Sequence, residues 1–442
     1  MRIVVISDHE TVGGAATAGA RLARPIALHH EMHYLVHNPD FAAHPWTTWP
    51  LRLPYATDPT NYRPMYPILN HGWRRGRFEP TRTNPSSLPH ELNARLRWVL
   101  DRIRPEIVWI QNLHGAVSKG WSPEIAEVAA YFAPVVWTMH DMWSFTGRCA
   151  YNYDCRAFET GCTSQCPTAT EYPPLEPALI PAAWEQKRNV LQRRMAIRAV
   201  APSRWLAQEA ARGAWSEANI DVIQSGIPLE TYKPRPRRDV RKSLGLPDDG
   251  RPLILVSAHD LNDRRKGGTI LPELLRDLQC RPAVLVLMGQ GSFELDIPGI
   301  KIVQMGFVAS PQTQTEIYSA VDIMLHPAPV DNLPNVIIES LACGTPVVAY
   351  PVGGVPEMIL PGQTGWLSAS LSPRGLAQTL DRAIWQIRDG LDLRDSCRSF
   401  AVDHFDDDAR GRDYEKLFEQ ICSPSEPVRV SAPFFTPLRR VS

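Results

Sequence analysis

Asp322-Ile323-Met324-Leu325-His326-Pro327-Ala328-Pro329-Val330-Asp331-Asn332-Leu333-Pro334-Asn335-Val336-Ile337-Ile338-Glu339-Ser340-Leu341-Ala342-Cys343-Gly344-Thr345-Pro346-Val347-Val348 reads as one strand–helix–strand unit. An apolar run ends at His326, a loop crosses Pro327 to Asn332, and a helix is expected from near Pro334. Proline suits that first turn because its missing N–H would have no partner there anyway. Cys343-Gly344 closes the helix and Pro346 opens the next strand. Asp331 precedes the helix and Glu339 falls on its second turn, so two carboxylates can flank a ligand resting on the helix N-terminus. The free N–H groups of Asn335 and Val336, with the positive dipole end, suit a diphosphate.

The same alternation runs through most of the chain. Ile3-Val4-Val5-Ile6 leads to Gly13-Gly14 and an Ala-rich helical segment, and Ile107-Val108-Trp109-Ile110 and Val135-Val136-Trp137 follow. Later runs are Leu253 to Val256, Val284 to Leu287, Ile300 to Val303, Ile323 to Leu325 and Pro346 to Ala349. Short, continuous apolar runs separated by helices are the pattern of parallel strands buried on both faces. The expected fold is therefore α/β, with two doubly wound Rossmann-like domains. A proline- and arginine-rich stretch near 228–252 marks the join. The expected division is 1–226, a linker at 227–250, a second domain at 251–402, a helix at 403–422 and a poorly ordered tail at 423–442.

Composition narrows the function. The 442 residues include 41 prolines, about 9% against a usual ~5%. The 44% hydrophobic content supports large cores, which excludes a disordered or collagen-like chain. Lys+Arg and Asp+Glu are both 47, so no sustained field for nucleic acid exists, and none is expected as a partner. Neither a signal-peptide core nor a membrane-length apolar run is present, so a cytoplasmic location is expected. The stretch 38–89 interleaves Trp46, Trp49, Tyr55, Tyr62, Tyr66, Trp73 and Phe78 with Arg63, Arg74, Arg75, Arg77 and Arg82. This suits either a packed aromatic loop or peripheral contact with the inner face of a membrane.

A carboxylate, seven residues and a glutamate, followed by Ser340-Leu341-Ala342-Cys343-Gly344-Thr345-Pro346-Val347-Val348, resembles the nucleotide-sugar signature of family-four retaining glycosyltransferases of the GT-B fold. The first acid is usually Glu, so Asp331 is a conservative departure. Gly353-Gly354-Val355-Pro356-Glu357, Gly362 to Leu367, Leu287 to Gly291 and Met305-Gly306-Phe307-Val308 match further family segments. The likeness covers nearly all of residues 1–422 and is thinnest at 38–105. It implies transfer of a sugar from a UDP- or GDP-linked donor to a saccharide or lipid-linked acceptor hydroxyl. Bacterial polysaccharide or glycolipid assembly is the implied setting, with retention at the anomeric carbon and no catalytic metal. It also implies that Glu339 holds the ribose hydroxyls, that Asp331 sits near the donor sugar and phosphate, and that helix 403–422 packs back on the first domain.

Around this frame, Arg264-Arg265-Lys266 at a helix start can neutralise a diphosphate and stabilise the departing nucleotide. Many relatives carry an Arg straight after the preceding strand, where this chain has Ser257-Ala258-His259. Arg265 and Arg264 are thus alternatives for the second cation beside Lys266. Gly13, Gly14, Gly289 and Phe307 fall at family donor-binding positions. His114 is the better candidate for touching donor sugar or acceptor, with His140 and Asp141 on the acceptor side; a histidine taken alone is more often structural than catalytic. A GT-B sugar-nucleotide epimerase and a non-catalytic nucleotide-sugar-binding scaffold are the competing functions.

Cys149, Cys155, Cys162 and Cys166 are spaced C-x5-C-x6-C-x3-C. Four thiolates suit a structural zinc, although only the last pair has the usual tight spacing. Free thiols and disulfide or redox use are the alternatives. A similar Cys-rich insertion occurs in some relatives that build bacterial surface polysaccharides.

Overall fold

A computed structural model describes residues 1–40, 42–51, 88–193, 195–291 and 296–423. The first sheet contains β1 (Arg2–His9), β2 (Glu31–Asn38), β3 (Thr47–Pro50), β4 (Ile107–Ile110), β5 (Val135–Thr138), β6 (Ile197–Ala201) and β7 (Ile220–Val222). The second contains β8 (Leu253–Asp260), β9 (Ala283–Gln290), β10 (Ile300–Gly306), β11 (Ile323–His326), β12 (Val347–Ala349) and β13 (Gly365–Leu367). Every pairing is parallel, in the orders β3-β2-β1-β4-β5-β6-β7 and β10-β9-β8-β11-β12-β13. Val4, Val5, Ile6, Trp109 and Ile110 in one sheet, and Ile254, Leu285 and Met324 in the other, are fully buried. Helices therefore cover both faces of each sheet, which is why the strands carry continuous apolar runs.

Each order reverses direction once, between β1 and β4 and between β8 and β11. Crevices at such switch points, outside the carboxyl ends of the strands, are where open α/β sheets take ligands. The loops leaving β1, β4, β8 and β11 carry Gly13-Gly14, His114, Arg264 to Lys266 and Asp331 respectively. The two switch points face each other, as the contacts described below establish.

β2, β3, β6, β7 and β13 are absent from the sequence reading, and for β3 the reason is that Thr47 to Pro50 is too short and too mixed to show a period. Its neighbours explain it. Trp46 stacks between Tyr34 and His44, at 4.5 and 4.6 Å between ring centroids. Trp49 donates from Nε1 to His33 Nδ1 at 3.1 Å. Both tryptophans are buried, so neither faces a membrane. Tyr55, Tyr62, Tyr66, Trp73, Phe78 and the five arginines named with them lie outside the described residues, as does the tail from 424. Among the described residues no helix is long and apolar enough to cross a membrane.

The chain passes between the domains twice, side by side. Ile227 pairs with Asp406, and Ile227 N donates to Phe405 O at 2.7 Å. The final helix, Asp407–Cys422, then lays Tyr414, Leu417 and Phe418 into the core of the first domain. Trp109 of β4 meets Tyr414 at 4.6 Å and Phe418 at 5.5 Å. The stretch 227–250 is itself packed: Ile227, Tyr232, Val240 and Leu246 belong to the second core. It forms a fixed shoulder, with a helix at Arg237–Ser243.

At the double crossing a Cβ on Gly226 would lie 2.6 Å from Asp407 Cα. Burial, then the charges of Asp408 and Asp406, push the Asp407 carboxyl up to about 6. Between pH ~4 and ~6 the folded chain thus holds a proton that the unfolded chain has released, so stability falls as pH rises through that window. Asp407→Asn is expected to be neutral near pH 4 and stabilising at pH 7.5. Equal unfolding midpoints for wild type and variant at pH 7.5 would refute this.

Candidate active site

The loop after β8 is built to hold a cation. Asp263 caps the turn Arg264–Lys266 by accepting from Arg265 N at 2.9 Å. Gly267 ends it with φ +77°, and a Cβ there would lie 2.0 Å from Pro327 O. Only glycine allows this left-handed turn to press on the loop leaving β11. Gly267→Ala is expected to cost at least about 1–2 kcal/mol and to weaken UDP binding, as thermal unfolding with and without UDP would register.

That close approach places Lys266 Nζ 2.7 Å from Asp331 Oδ2. Asp331 is 4% exposed. Its Oδ1 accepts from its own neighbour's Asn332 N at 3.0 Å and from Tyr151 OH at 3.3 Å, and His326 Nε2 stands 3.4 Å from Oδ2. Burial alone would raise this carboxyl, but Lys266 and His326 outweigh it and hold it well below the usual carboxylate range. Arg265 is gripped by Asp263, Nη2 to Oδ2 at 2.6 Å, and lies over the Tyr172 ring at 5.0 Å. Arg264 points outward to Glu171 at 3.1 Å with a side chain 74% exposed. Of the two arginines, Arg265 is the one inside the cleft.

The helix Asn335–Ala342 buries Ile337, Ile338 and Leu341 against β11 and β12, which aims its start at the first domain. Pro334 O takes the N–H of Ile337 and of Ile338. The N–H groups of Asn335 and Val336 belong to the first turn, which has no intrahelical acceptor. Asn335 Nδ2 donates across the cleft to Gly14 O at 2.9 Å. Glu339 is 7% exposed, and both its oxygens have protein donors: Arg21 Nη2 at 2.7 Å and Tyr318 OH at 2.8 Å. Arg21 also donates to Tyr232 OH at 3.0 Å. It comes from the first domain, on the helix Gly14–Ile26.

On the facing side, Gly13 has φ +95° and caps that helix; a Cβ on Gly13 or Gly14 would meet nothing within 4 Å. The turn is open toward the cleft. His114 Nε2 bonds Asp141 Oδ2 at 2.8 Å, and Asp141 Oδ1 accepts from Trp143 N at 2.8 Å. Burial would raise Asp141, but His114 chiefly holds it below its ordinary value. Asp8, at the end of β1, accepts from Gly115 N at 2.8 Å and is pushed up by burial. His140 Nε2 meets Gln111 Oε1 at 2.7 Å, and burial drives its pKa down to about 4, so its ring is neutral at working pH. His114 and His140 therefore have separate partners and do not form one unit.

Gly289 and Phe307 lie at the carboxyl ends of β9 and β10, on the β8 side of the switch point. A Cβ on Gly289 would lie 2.1 Å from Ala258 O, so this glycine lets the ends of β8 and β9 close together. Phe307, 53% exposed after β10, meets the His259 ring edge-on at 5.3 Å. The two domains touch further at Asn332, whose Nδ2 donates to His140 O at 3.1 Å and whose Oδ1 accepts from Ser203 at 2.5 Å. Glu357 accepts from Arg204 N and Trp205 N at 3.0 and 2.9 Å, capping a helix of the other domain.

Sequence reasoning missed Arg21, Tyr318, Tyr151, Tyr172 and Asp8. Arg21 had one visible signal: it is the lone charge within the apolar stretch Ala15–Ala23, so it had to find a buried partner.

Residues 251–385 match the family model described as Glycosyl transferases group 1. Over 221 residues the chain is 29% identical to the putative colanic acid biosynthesis glycosyl transferase WcaC of Escherichia coli (strain K12), covering 49% of this chain and 51% of that one. The chain thus spans about half the length of that curated relative. Among solved structures, sucrose-phosphate synthase from Thermosynechococcus elongatus superposes with a TM-score of 0.67 at 18% identity, over 95% of this chain and 99% of that one. Anabaena Alr3699/HepE, solved in complex with UDP and glucose, gives 0.63 at 18% identity, over 95% and 100%. Those two likenesses are of fold. Residues 251–385 are thus similar to the glycosyl transferases group 1, on a chain that has the GT-B fold.

Proposed function

We propose that this protein is a retaining glycosyltransferase that moves a sugar from a nucleotide-diphosphate donor to an acceptor hydroxyl. The observation that carries the reading is the Lys266–Asp331 pair, 2.7 Å apart, beside the start of helix Asn335–Ala342 at the facing switch points. Lys266, Arg265 and the N–H groups of Asn335 and Val336 would bind the diphosphate and stabilise charge as it leaves. The bond from the anomeric carbon to the phosphate oxygen breaks while the bond to the acceptor oxygen forms on the same face. The departing phosphate takes the acceptor's proton. No step is assigned to a metal.

Glu339 would hold the ribose hydroxyls, and at Oε1, which has two lone pairs, ribose would either join Arg21 or displace it. His114, Asp141 and the open turn at Gly13-Gly14 would meet sugar and acceptor, with His140 behind them. Domain contact through Asn332 and Glu357 would exclude the water that otherwise hydrolyses the donor.

UDP is the favoured nucleotide because HepE, of the same fold, was solved with UDP and glucose. The likeness to a colanic acid glycosyl transferase supports a saccharide or lipid-linked acceptor in bacterial surface polysaccharide assembly. Such an acceptor would put the protein in the cytoplasm, at the inner face of the membrane. The test is a thermal-shift screen of UDP-, GDP- and ADP-sugars, followed by a transfer assay. Binding to the folded chain raises its midpoint. No shift with any of them, or full transfer by Glu339→Ala, would refute the reading.

A further inference from the structure

Residues 146–176 contain only one three-residue helical turn, Ala157–Glu159, among their described positions. Irregular stretches of this length are uncommon in a compact domain and need something to hold them. This one does delicate work. It brings Tyr151 to Asp331, Glu171 to Arg264, and Tyr172 to both Arg265 and the His114 ring, the last at 5.3 Å. Arg148 gathers its second half by donating to the carbonyls of Pro173 and Glu171, at 2.8 and 2.7 Å, and to Thr168 O. Its first half is held at Ala150, whose carbonyl accepts from Met142 N at 2.9 Å, and at Phe158, which is buried in the core and whose carbonyl accepts from Trp184 Nε1 at 3.1 Å; the four cysteines lie between and beyond these anchors.

Cys149, Cys155, Cys162 and Cys166 all line one cavity of about 40 Å3, closed on the apolar side by Phe158 and Ile180. Gly147 N–H donates to Cys162 Sγ at 3.2 Å. Lys187 Nζ is buried and donates to Thr146 O and Gly147 O, at 2.8 and 3.3 Å, where burial pushes its pKa down to about 7 against the nearby Cys149 and Cys162. The backbone bends inside the first cysteine interval at Tyr153, whose φ is +49°. A non-glycine residue held in the left-handed region marks a conformation imposed by its surroundings.

We propose that Cys149, Cys155, Cys162 and Cys166 bind one zinc ion, and that this ion stiffens the loop that sets Tyr151 and Tyr172 against the donor site. Four thiolates around a divalent ion leave a net charge of about −2, which Lys187 and Arg148 offset. Zinc fits because four sulfur ligands, each partly exposed, can make a tetrahedral site with no open position. The four sulfurs share the cavity, but no three of them lie within 4.8 Å of one another, so coordinating one ion would require this loop to tighten. Among the described residues, Glu10, Asp40 and His44 do bring three potential ligand atoms within 4.8 Å of one another. Their four carboxylate oxygens already accept from Trp46, Thr48, Asp40 N, Ala42 N, His44 and Thr11, so that group is a closed hydrogen-bond network.

The test uses the full chain, purified without an affinity tag, with zinc and iron measured by mass spectrometry and titration by a mercurial thiol reagent. About one zinc per chain, released as the four thiols react, is expected for a four-sulfur site. Zinc below about 0.2 per chain, a disulfide within the cluster, or iron in its place would overturn the site, since each leaves the four thiolates without zinc. Cys162→Ser with Cys166→Ser should lose the ion. If that variant does not fold, zinc stripped from the folded wild type by a strong chelator serves instead. The stiffening role rests on the donor reading above and has its own readout: UDP affinity should fall about tenfold without zinc and recover on its return, as for loss of a hydrogen bond to a charged group. Unchanged UDP affinity after zinc loss would overturn that role. Failure of the zinc-loaded protein to bind UDP would overturn the donor reading and the stiffening role together, while leaving the zinc site standing.

Discussion

Lys266→Ala is expected to lower kcat for sugar transfer by about 10²–10³-fold, the usual consequence of deleting one preorganised charge-stabilising group. Two effects meet in this side chain. Its ammonium is the cation beside the cleft that is not already spent on a carboxylate of its own turn, as Arg265 is on Asp263. It is also the charge that does most to keep buried Asp331 ionised. Removing it leaves Asp331 to burial, so its carboxyl pKa rises. In the wild type, that depressed pKa contributes stability above the unfolded carboxylate value and loses it as pH falls. In the variant, a carboxyl raised by burial costs stability above its folded pKa, so the deficit against the wild type should be largest near neutral pH and shrink as pH falls. Adding Asp331→Asn separates the two effects. The double variant should regain stability because no unpaired carboxylate is left, yet remain inactive. Near-wild-type transfer by Lys266→Ala would remove the proposed phosphate site.

Arg21→Ala should destabilise the folded chain by about 3 kcal/mol, the low end for breaking a buried ion pair from one side. The low end applies because Tyr318 still donates to Glu339 at 2.8 Å, so the carboxylate keeps one partner. The loss should also have a distinct signature. If ribose and Arg21 compete for Glu339 Oε1, UDP will raise the unfolding midpoint of Arg21→Ala by more than it raises that of the wild type. A smaller UDP shift in the variant would mean that Arg21 helps to hold the nucleotide, and the competition would be wrong.

The fold was legible because its strands are continuous apolar runs such as Ile3 to Ile6 and Val284 to Leu287, and burial on both faces demands that composition. β3 was not, since Thr47 and Pro50 are half-exposed and only Thr48 and Trp49 are buried. Asp331, Glu339 and Lys266 were legible as candidates because chain-local rules place them: a carboxylate before a helix, another on its second turn, a cation at a turn. What those side chains touch was not. Tyr151 reaches Asp331 across 180 positions of sequence, and Arg21 reaches Glu339 across 318. Such contacts depend on how two separately legible sheets are set against each other, and no periodicity within either records that. Phe307 was legible as a family position, while its edge-on contact with His259 was not.

The double crossing at Ile227 and Asp406 has a consequence for how the protein is made. The first domain is assembled from two pieces of chain, 1–226 and the helix from Asp407, separated by the whole second domain. A ribosome adding about 5–20 residues per second needs roughly 10–40 s to travel the ~180 residues between them. Throughout that interval the face of Trp109, Tyr34 and Ile223 that Tyr414 and Phe418 will cover is unshielded. Translation speed and holding chaperones therefore act on this chain most strongly after its first sheet exists and before its last helix emerges.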